Sequence, residues 1–218
     1  MYVSEKNKVI LLWNPKTGSS SLHGYLKLNV PDSFFGPRDR IYPERTGHWH
    51  MPLVRIVQNA EKAGINIGDL QTWKIGVFWR DPIDRTLSGL AWGKRTHPET
   101  IRPDMSVTEY IVGSYSFVDQ RPFLTDKIHT NYEPNFPHLH LNWTWFNYHD
   151  YTNEFKRLAE WFGLSPTDAD IPHHQSAEGN RLYVEDLTAD EIRIIKERYW
   201  DDYELLESRG IFAPTRDL

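Results

Sequence analysis

One short segment near the amino terminus concentrates side chains that could bind an anion. Residues 15–21 read Pro-Lys-Thr-Gly-Ser-Ser-Ser, so Lys16 stands among four hydroxyl side chains. The apolar run 9–12 predicts a buried strand, and Pro15 and Gly18 predict a tight turn into a helix. The first turn of a helix has outward-pointing amides and a positive dipole end, so it favours anions. The segment therefore predicts a phosphate or sulfate site, with an ordinary serine-capped helix as the alternative.

A second segment with the same order of elements strengthens this interpretation. Residues 73–79, Trp-Lys-Ile-Gly-Val-Phe-Trp, predict another buried strand, and Pro82 is suited to the first turn of a helix that follows it. Arg80 would lie at the carboxyl end of that strand, and Ser88 about two turns into the helix. Ligands of open α/β sheets bind at this edge, and an arginine can hold a phosphate bidentately.

The first segment does not match a Walker A loop, because that motif places its lysine after the second glycine. Here Lys16 precedes Gly18. The mismatch counts against a P-loop-like kinase that uses ATP, which nevertheless stays as an alternative. A nucleotide-binding module that has lost catalysis is a further alternative.

Taken together, P-K-T-G-S-S-S (15–21) and R-D-P-I-D-R-T-L-S (80–88) resemble the two donor-binding motifs of sulfotransferases that use 3′-phosphoadenosine 5′-phosphosulfate, PAPS. The similarity is greatest to the carbohydrate type, which includes heparan sulfate 2-O-sulfotransferase, and to compact bacterial or viral relatives. It extends weakly to a closing helix over 187–206. The resemblance implies that 15–21 hold the 5′-phosphosulfate and that Arg80 and Ser88 hold the 3′-phosphate.

The resemblance also implies a hydroxyl acceptor and a loop over the donor shortly before the last helix. Residues 175–181 are the candidate for that loop, with Ser176 and Arg181 as possible donor contacts. The predicted donor-binding residues are thus Pro15, Lys16, Thr17, Gly18, Ser19, Ser20, Ser21, Arg80, Ser88, Ser176 and Arg181.

Sulfuryl transfer needs positive charge where the bridging oxygen leaves and a base for the acceptor's proton. Lys16 suits the first task. For the second, His48 and His50 share a face if the segment 47–53 is extended, and histidine titrates near neutrality. His50 is predicted as the base, His48 as a helper or acceptor contact, and Trp49 as a ring that stacks on the acceptor. Two other readings remain open, a pair of loop histidines and a metal site, although zinc needs three or four ligands.

Other histidines and aromatics are assigned to structure. His138, His140, His173 and His174 are expected on the surface or in the core. The aromatics within 143–148 are expected mainly in the core, because aromatic residues dominate core packing.

The composition limits the class of protein. The chain has 218 residues, no cysteine and a formal net charge of −5. This size predicts one domain, 1–218. No apolar run approaches a membrane span, and the first residues lack the apolar core of a signal peptide, so a cytoplasmic enzyme is expected. The charge indicates no nucleic-acid partner and lowers the expectation of a highly sulfated polymer. The expected partner is a glycan or small hydroxylated molecule, and no metal is expected.

The pattern of elements predicts an α/β protein with a P-loop-like three-layer fold, a central parallel sheet flanked by helices. Helices are predicted over 53–63 and 151–162, each ending at a glycine, and a strand over 142–148. Ser106 with Glu109, and Thr188 with Glu191, predict capping boxes that open helices. Residues 31–47 are predicted to be a loop.

Overall fold

The computed structural model describes residues 2–14, 16–30, 34–35, 53–112, 141–166 and 182–218, of which 19–20, 34–35 and 54–55 are described by their backbone alone. The described residues form two compact units. The first takes its residues from Met1–Trp79 and Asn131–His174, and the second from Arg80–Thr130 and Gln175–Leu218. The assignment of 1–218 to one domain stays a prediction.

The first unit contains a five-stranded sheet in the order β3-β1-β2-β4-β5. Strands β2, β4 and β5 are parallel, whereas β1 is antiparallel to both of its neighbours. The strands are β1 Tyr2–Ser4, β2 Val9–Leu12, β3 Phe34–Phe35, β4 Lys74–Trp79 and β5 Asn142–Asn147. The predicted α/β class with a parallel centre is confirmed. The loop prediction for 31–47 is wrong at β3, where two residues pair with β1.

Seven α-helices are described. They are α1 Ser19–Asn29, α2 Leu53–Lys62, α3 Pro82–Thr96, α4 Val107–Val112, α5 Tyr151–Glu160, α6 Ala189–Arg198 and α7 Trp200–Ser208. The helices predicted over 53–63 and 151–162 are confirmed as α2 and α5. The single closing helix predicted over 187–206 is wrong, because the chain leaves helical geometry at Tyr199, where φ is −109° and ψ is 22°. Tyr199 is completely buried at this break.

Both faces of the central strands are buried, which is usual for parallel sheets covered by helices. Val9 and Leu11 face one side, and their neighbours Ile10 and Leu12 face the other; all four are at most 1% exposed. Helices α1 and α5 pack on the first side. That core comprises Tyr2, Val9, Leu11, Trp13, Leu22, Leu26, Phe78, Phe146, Phe155, Leu158 and Phe162.

The second unit is helical, with α3, α4 and α6 in mutual contact. Both predicted capping boxes are confirmed here. The Ser106 amide donates to Glu109 Oε2 at 2.8 Å, and the Glu109 amide donates to Ser106 Oγ at 3.1 Å. The Thr188 amide donates to Glu191 Oε2 at 2.9 Å, and the Glu191 amide donates to Thr188 Oγ1 at 3.2 Å. Each box satisfies two amides that a helix start leaves without partners.

Candidate active site

The turn between β2 and α1 is fixed by two buried polar side chains. Asn14, fully buried just after β2, donates from Nδ2 to the Phe78 carbonyl on β4 at 2.9 Å. Thr17, 2% exposed, donates from Oγ1 to the Asn14 carbonyl, also at 2.9 Å. The first bond joins the start of the turn to the neighbouring parallel strand, and the second closes the turn. Its path is therefore set by the sheet before any ligand binds.

Lys16 lies in this turn with a backbone φ of +64°, in the left-handed region that L-residues avoid. A lysine there is less stable than a glycine by about 1–2 kcal/mol. Such strain persists where the surroundings impose it, and it clusters at functional sites. The Lys16 side chain is half-buried.

Gly18 follows with φ +77° and forms the N-cap of α1. A β-carbon at this position would lie 2.7 Å from Tyr151 Cε2 and 3.3 Å from Tyr148 Cε2. Tyr151 also donates from its hydroxyl to the Gly18 carbonyl at 3.4 Å. Burial raises the pKa of Tyr151 above its ordinary value, so this hydroxyl keeps its proton. Only glycine fits both the backbone conformation and the space against the two rings.

The amino end of α1 is electrostatically open to an anion. Gly18 supplies no capping side chain, and the first turn contains no acidic residue. The positive end of the helix dipole is therefore not neutralised from within that turn. Ser21 is buried in the first turn, whereas Ser19 and Ser20 are described by their backbone alone.

Aromatic side chains follow the carboxyl ends of the neighbouring strands in the same unit. Trp79 ends β4 and is 5% exposed, and the His149 ring lies 5.8 Å from it between centroids. The Tyr148 and Tyr151 rings are 5.6 Å apart. Sequence reasoning assigned Tyr148 to the core and overlooked Asn14, His149 and Tyr151. Their position in the sequence could have identified these residues, because each one directly follows a predicted parallel strand or lies within a few residues of its end.

The second motif is built around the start of α3 in the other unit. Asp81 is its fully buried N-cap, and its Oδ1 accepts from the amides of Ile83 and Asp84 at 2.9 and 3.4 Å. The Arg80 side chain is 12% exposed, and its Nε lies 3.9 Å from Asp84 Oδ2. Ser88 is half-buried in the second turn of α3. The predicted position of Arg80 after the strand and of Ser88 two turns into the helix is confirmed.

A buried ion pair fixes α3 between these two residues. Arg85 Nη2 lies 2.7 Å from Asp202 Oδ2 on α7, with side-chain exposures of 4% and 0%. The Arg85 guanidinium also covers the Tyr199 ring at 4.8 Å from its centroid. The pair joins α3 to α7 at a position between Arg80 and Ser88 in the sequence.

Several predicted site residues lie outside the described part of the chain. They are Pro15, His48, Trp49, His50, Ser176 and Arg181. The histidines at 138, 140, 173 and 174 do so too. Of the aromatics predicted in the core, Phe146 is fully buried, whereas Trp143, Trp145 and Tyr148 are half-buried. The Lys16 turn belongs to the first unit and the Arg80–Ser88 segment to the second.

The described residues contain no group of three or more histidine, aspartate or glutamate side chains placed to hold a metal ion. Among the helices in that part of the chain, none is long and apolar enough to cross a membrane.

Comparison with known proteins adds little to what the residues of this chain indicate. No protein-family model and no curated protein matches the chain. One solved structure with similarity to it, a sulfotransferase from Alicyclobacillus acidocaldarius, is 14% identical over 93% of this chain and 94% of that chain, with a TM-score of 0.48. So weak a likeness assigns no function.

Proposed function

We propose that this protein is a sulfotransferase that moves the sulfuryl group of PAPS to a hydroxyl of an acceptor, for which we propose a carbohydrate. The observation that supports this most is Lys16 itself, a lysine held in a left-handed backbone between a buried strand and the uncapped start of α1. An anion there meets a positive side chain and the positive end of a helix together. Backbone strain of this kind clusters at functional sites, which supports a role for Lys16 in binding an anion.

Lys16 acts where charge develops. When the acceptor oxygen attacks sulfur, the bond to the bridging oxygen breaks and its electron pair stays on the phosphate. Lys16 stabilises that negative charge, which makes its contribution larger in the transition state than in the ground state. Within the turn, the amides at the start of α1 bind the remaining oxygens. The Thr17 hydroxyl donates to Asn14, so Thr17 contributes through its backbone.

Arg80 and Ser88 are proposed to bind the 3′-phosphate, because a guanidinium and a hydroxyl two helical turns apart can hold one anion together.

His50 is proposed to take the acceptor's proton, with His48 as helper and Trp49 stacked on the acceptor. Ser176 and Arg181 are proposed as further donor contacts. The chemistry needs no metal, and the cytoplasm is the proposed location.

Nucleotide preference tests the proposal. Adenosine 3′,5′-bisphosphate should bind more tightly than AMP by ~1.5–3 kcal/mol, the value of a hydrogen bond to a charged group. Calorimetric titration with these two nucleotides and with ATP measures this. Equal affinity for the first two, or a preference for ATP with magnesium, would reject the sulfotransferase in favour of the kinase. Binding of the bisphosphate without turnover of labelled PAPS across an acceptor screen would favour the inactive module.

The base is tested separately. His50→Ala should lower kcat by ~10²–10⁴-fold, the usual contribution of a positioned base, with bisphosphate affinity unchanged. His48→Ala is the matched comparison and should lose less activity, mainly through a higher KM. Full activity of His50→Ala would assign the base elsewhere, with Glu44 as the next residue to test.

A further inference from the structure

The peptide group between Gly18 and Ser19 is the part of the turn before α1 that could rotate most easily. Gly18 has no β-carbon, so its backbone meets little steric resistance to a change of conformation. In a planar trans peptide, the carbonyl of one residue and the amide of the next point in opposite directions. The direction of the Gly18 carbonyl therefore sets the direction of the Ser19 amide, which is the first amide of α1.

Two donors hold the Gly18 carbonyl. The Leu22 amide donates to it at 3.1 Å, which is the first hydrogen bond of α1. The Tyr151 hydroxyl donates to it at 3.4 Å from the first residue of α5. Helix ends fray, so the bond from Leu22 alone is a weak restraint. The bond from Tyr151 comes from another element and restrains the carbonyl whether or not the first turn of α1 is closed.

The Tyr151 ring is held by the core of the first unit. It lies 5.5 Å from the Phe78 ring on β4 and 6.0 Å from the Phe155 ring on α5, between centroids. Phe155 is completely buried, and Phe78 is 2% exposed. A β-carbon at Gly18 would lie 3.1 Å from Tyr151 Cζ, the carbon that carries the hydroxyl. The core therefore presses the hydroxyl end of this tyrosine against Gly18.

The conformation of the turn shows what a fixed Ser19 amide would serve. Lys16 and Gly18 are left-handed, with φ of +64° and +77°, whereas Thr17 between them is not. Such alternation directs successive amides into one concavity that suits an anion. The Ser19 amide is next to this concavity and has no partner within the helix. If the peptide rotated, the Gly18 carbonyl would present its negative end to the anion instead.

We propose that Tyr151 is a positioning residue for the anion at this turn: its hydroxyl holds the Gly18 carbonyl, so that the Ser19 amide points toward the anion. This inference rests on the proposed function, in which the turn binds the 5′ end of the donor. It assigns part of the affinity for that end to a side chain that does not touch the donor.

The test compares Tyr151→Phe with the unmodified protein by calorimetric titration with adenosine 3′,5′-bisphosphate and with adenosine 3′-monophosphate, which lacks the 5′-phosphate. Tyr151→Phe should weaken binding of the bisphosphate about three- to tenfold, the effect of one lost hydrogen bond, and binding of the monophosphate less than about twofold. The matched control is Tyr25→Phe. The Tyr25 ring packs on the same Phe155, at 4.7 Å between centroids, but lies nearly two turns further along α1. This control should bind both nucleotides as the unmodified protein does.

Equal weakening of both nucleotides by Tyr151→Phe, or the same loss in Tyr25→Phe, would mean that the hydroxyl merely supports the fold and would overturn the inference. Unchanged affinity of Tyr151→Phe for the bisphosphate would overturn it too. If Tyr151→Phe does not fold, amide hydrogen exchange of the unmodified protein replaces it. The Ser19 amide should then be protected by the bisphosphate and not by the monophosphate, and absence of that protection would reject the inference.

A different result would reject the proposed function. If the unmodified protein bound the bisphosphate no more tightly than the 3′-monophosphate, the turn would not hold the 5′ end of the donor, whatever the variants do.

Discussion

The two predicted anion-binding segments reach the same kind of structure by opposite means. The turn before α1 depends on backbone conformation, with left-handed geometry at Lys16 and Gly18 and two tyrosine rings against Gly18. The start of α3 depends on side-chain polarity, with Asp81 as the cap of the helix and a buried pair between Arg85 and Asp202.

This difference shows where each segment tolerates change. In the first, adding a single methyl group is harmful, because space and φ are both restricted. In the second, volume matters less than charge, because removing one member of a buried ion pair leaves the other desolvated. The predictions below set one type of support against the other, from the largest expected change in stability to the smallest.

Asp202→Ala should produce the largest loss, lowering the free energy of unfolding by ~3–5 kcal/mol. The variant leaves the buried Arg85 guanidinium without this carboxylate. Urea unfolding followed by circular dichroism measures the change. The control is Glu197→Ala, which removes an exposed pair with Arg193 and should hardly change the midpoint.

A double change separates charge from packing in this pair. Arg85→Met/Asp202→Leu removes both charges and keeps apolar volume, so it should be clearly more stable than Asp202→Ala. If the double variant were the less stable of the two, the support at α3 would depend on shape, and the contrast with the first segment would disappear.

Gly18→Ala should lower the free energy of unfolding by ~2–4 kcal/mol. About 1–2 kcal/mol comes from the left-handed backbone, and the rest from overlap of the new methyl group with the Tyr151 ring. Gly163→Ala is the matched control, since Gly163 has φ +70° and nothing within 4 Å of its added β-carbon. Gly163→Ala should show only the loss of stability that comes from the left-handed backbone. Equal losses at both positions would mean that the tyrosines do not restrict Gly18.

Lys16→Gly should give the smallest change and the opposite sign, a gain of ~0.5–1 kcal/mol. Relief of the left-handed strain outweighs the greater freedom of glycine in the unfolded chain. Turnover of PAPS should nevertheless fall by ~10²–10³-fold, the effect of removing one transition-state contact. Lys8→Gly, at φ +50° in the turn between β1 and β2, should give a similar gain with normal turnover. A destabilised Lys16→Gly, or one with full activity, would contradict the role proposed for its strain.

Local features of the molecule were predictable and long-range ones were not. Residue order alone located both strand–turn–helix segments and both capping boxes, because these depend on neighbours within a few positions. The pairs Asp81–Thr215 and Arg85–Asp202 join residues 134 and 117 positions apart, and nothing in a single sequence links them. The break at Tyr199 was missed for a related reason, since burial of its ring overrides a continuous helical pattern.

The tyrosines beside Gly18 show the same limit at the site itself. Pro15 and Gly18 predicted a tight turn at this place. That the glycine also has to admit the Tyr148 and Tyr151 rings depends on β5 and α5, which come more than a hundred residues later in the sequence. The roles of His48 and His50 stay predictions, because a general base is identified by the groups that surround it in the folded protein.

The parallel pairing of β4 with β5 has a consequence for how the chain is made. Lys74 of β4 is in register with Asn142 of β5, so a ribosome must add the whole of 80–141 before β4 can be paired on both sides. Until then, one edge of an apolar strand has its amides and carbonyls unsatisfied, which invites association with other nascent chains. Closing so long a connection also has an entropy cost that contacts between near neighbours in the sequence do not have. Production of the protein should therefore be limited by aggregation during synthesis, and lower temperature or a co-expressed chaperone should raise the soluble yield.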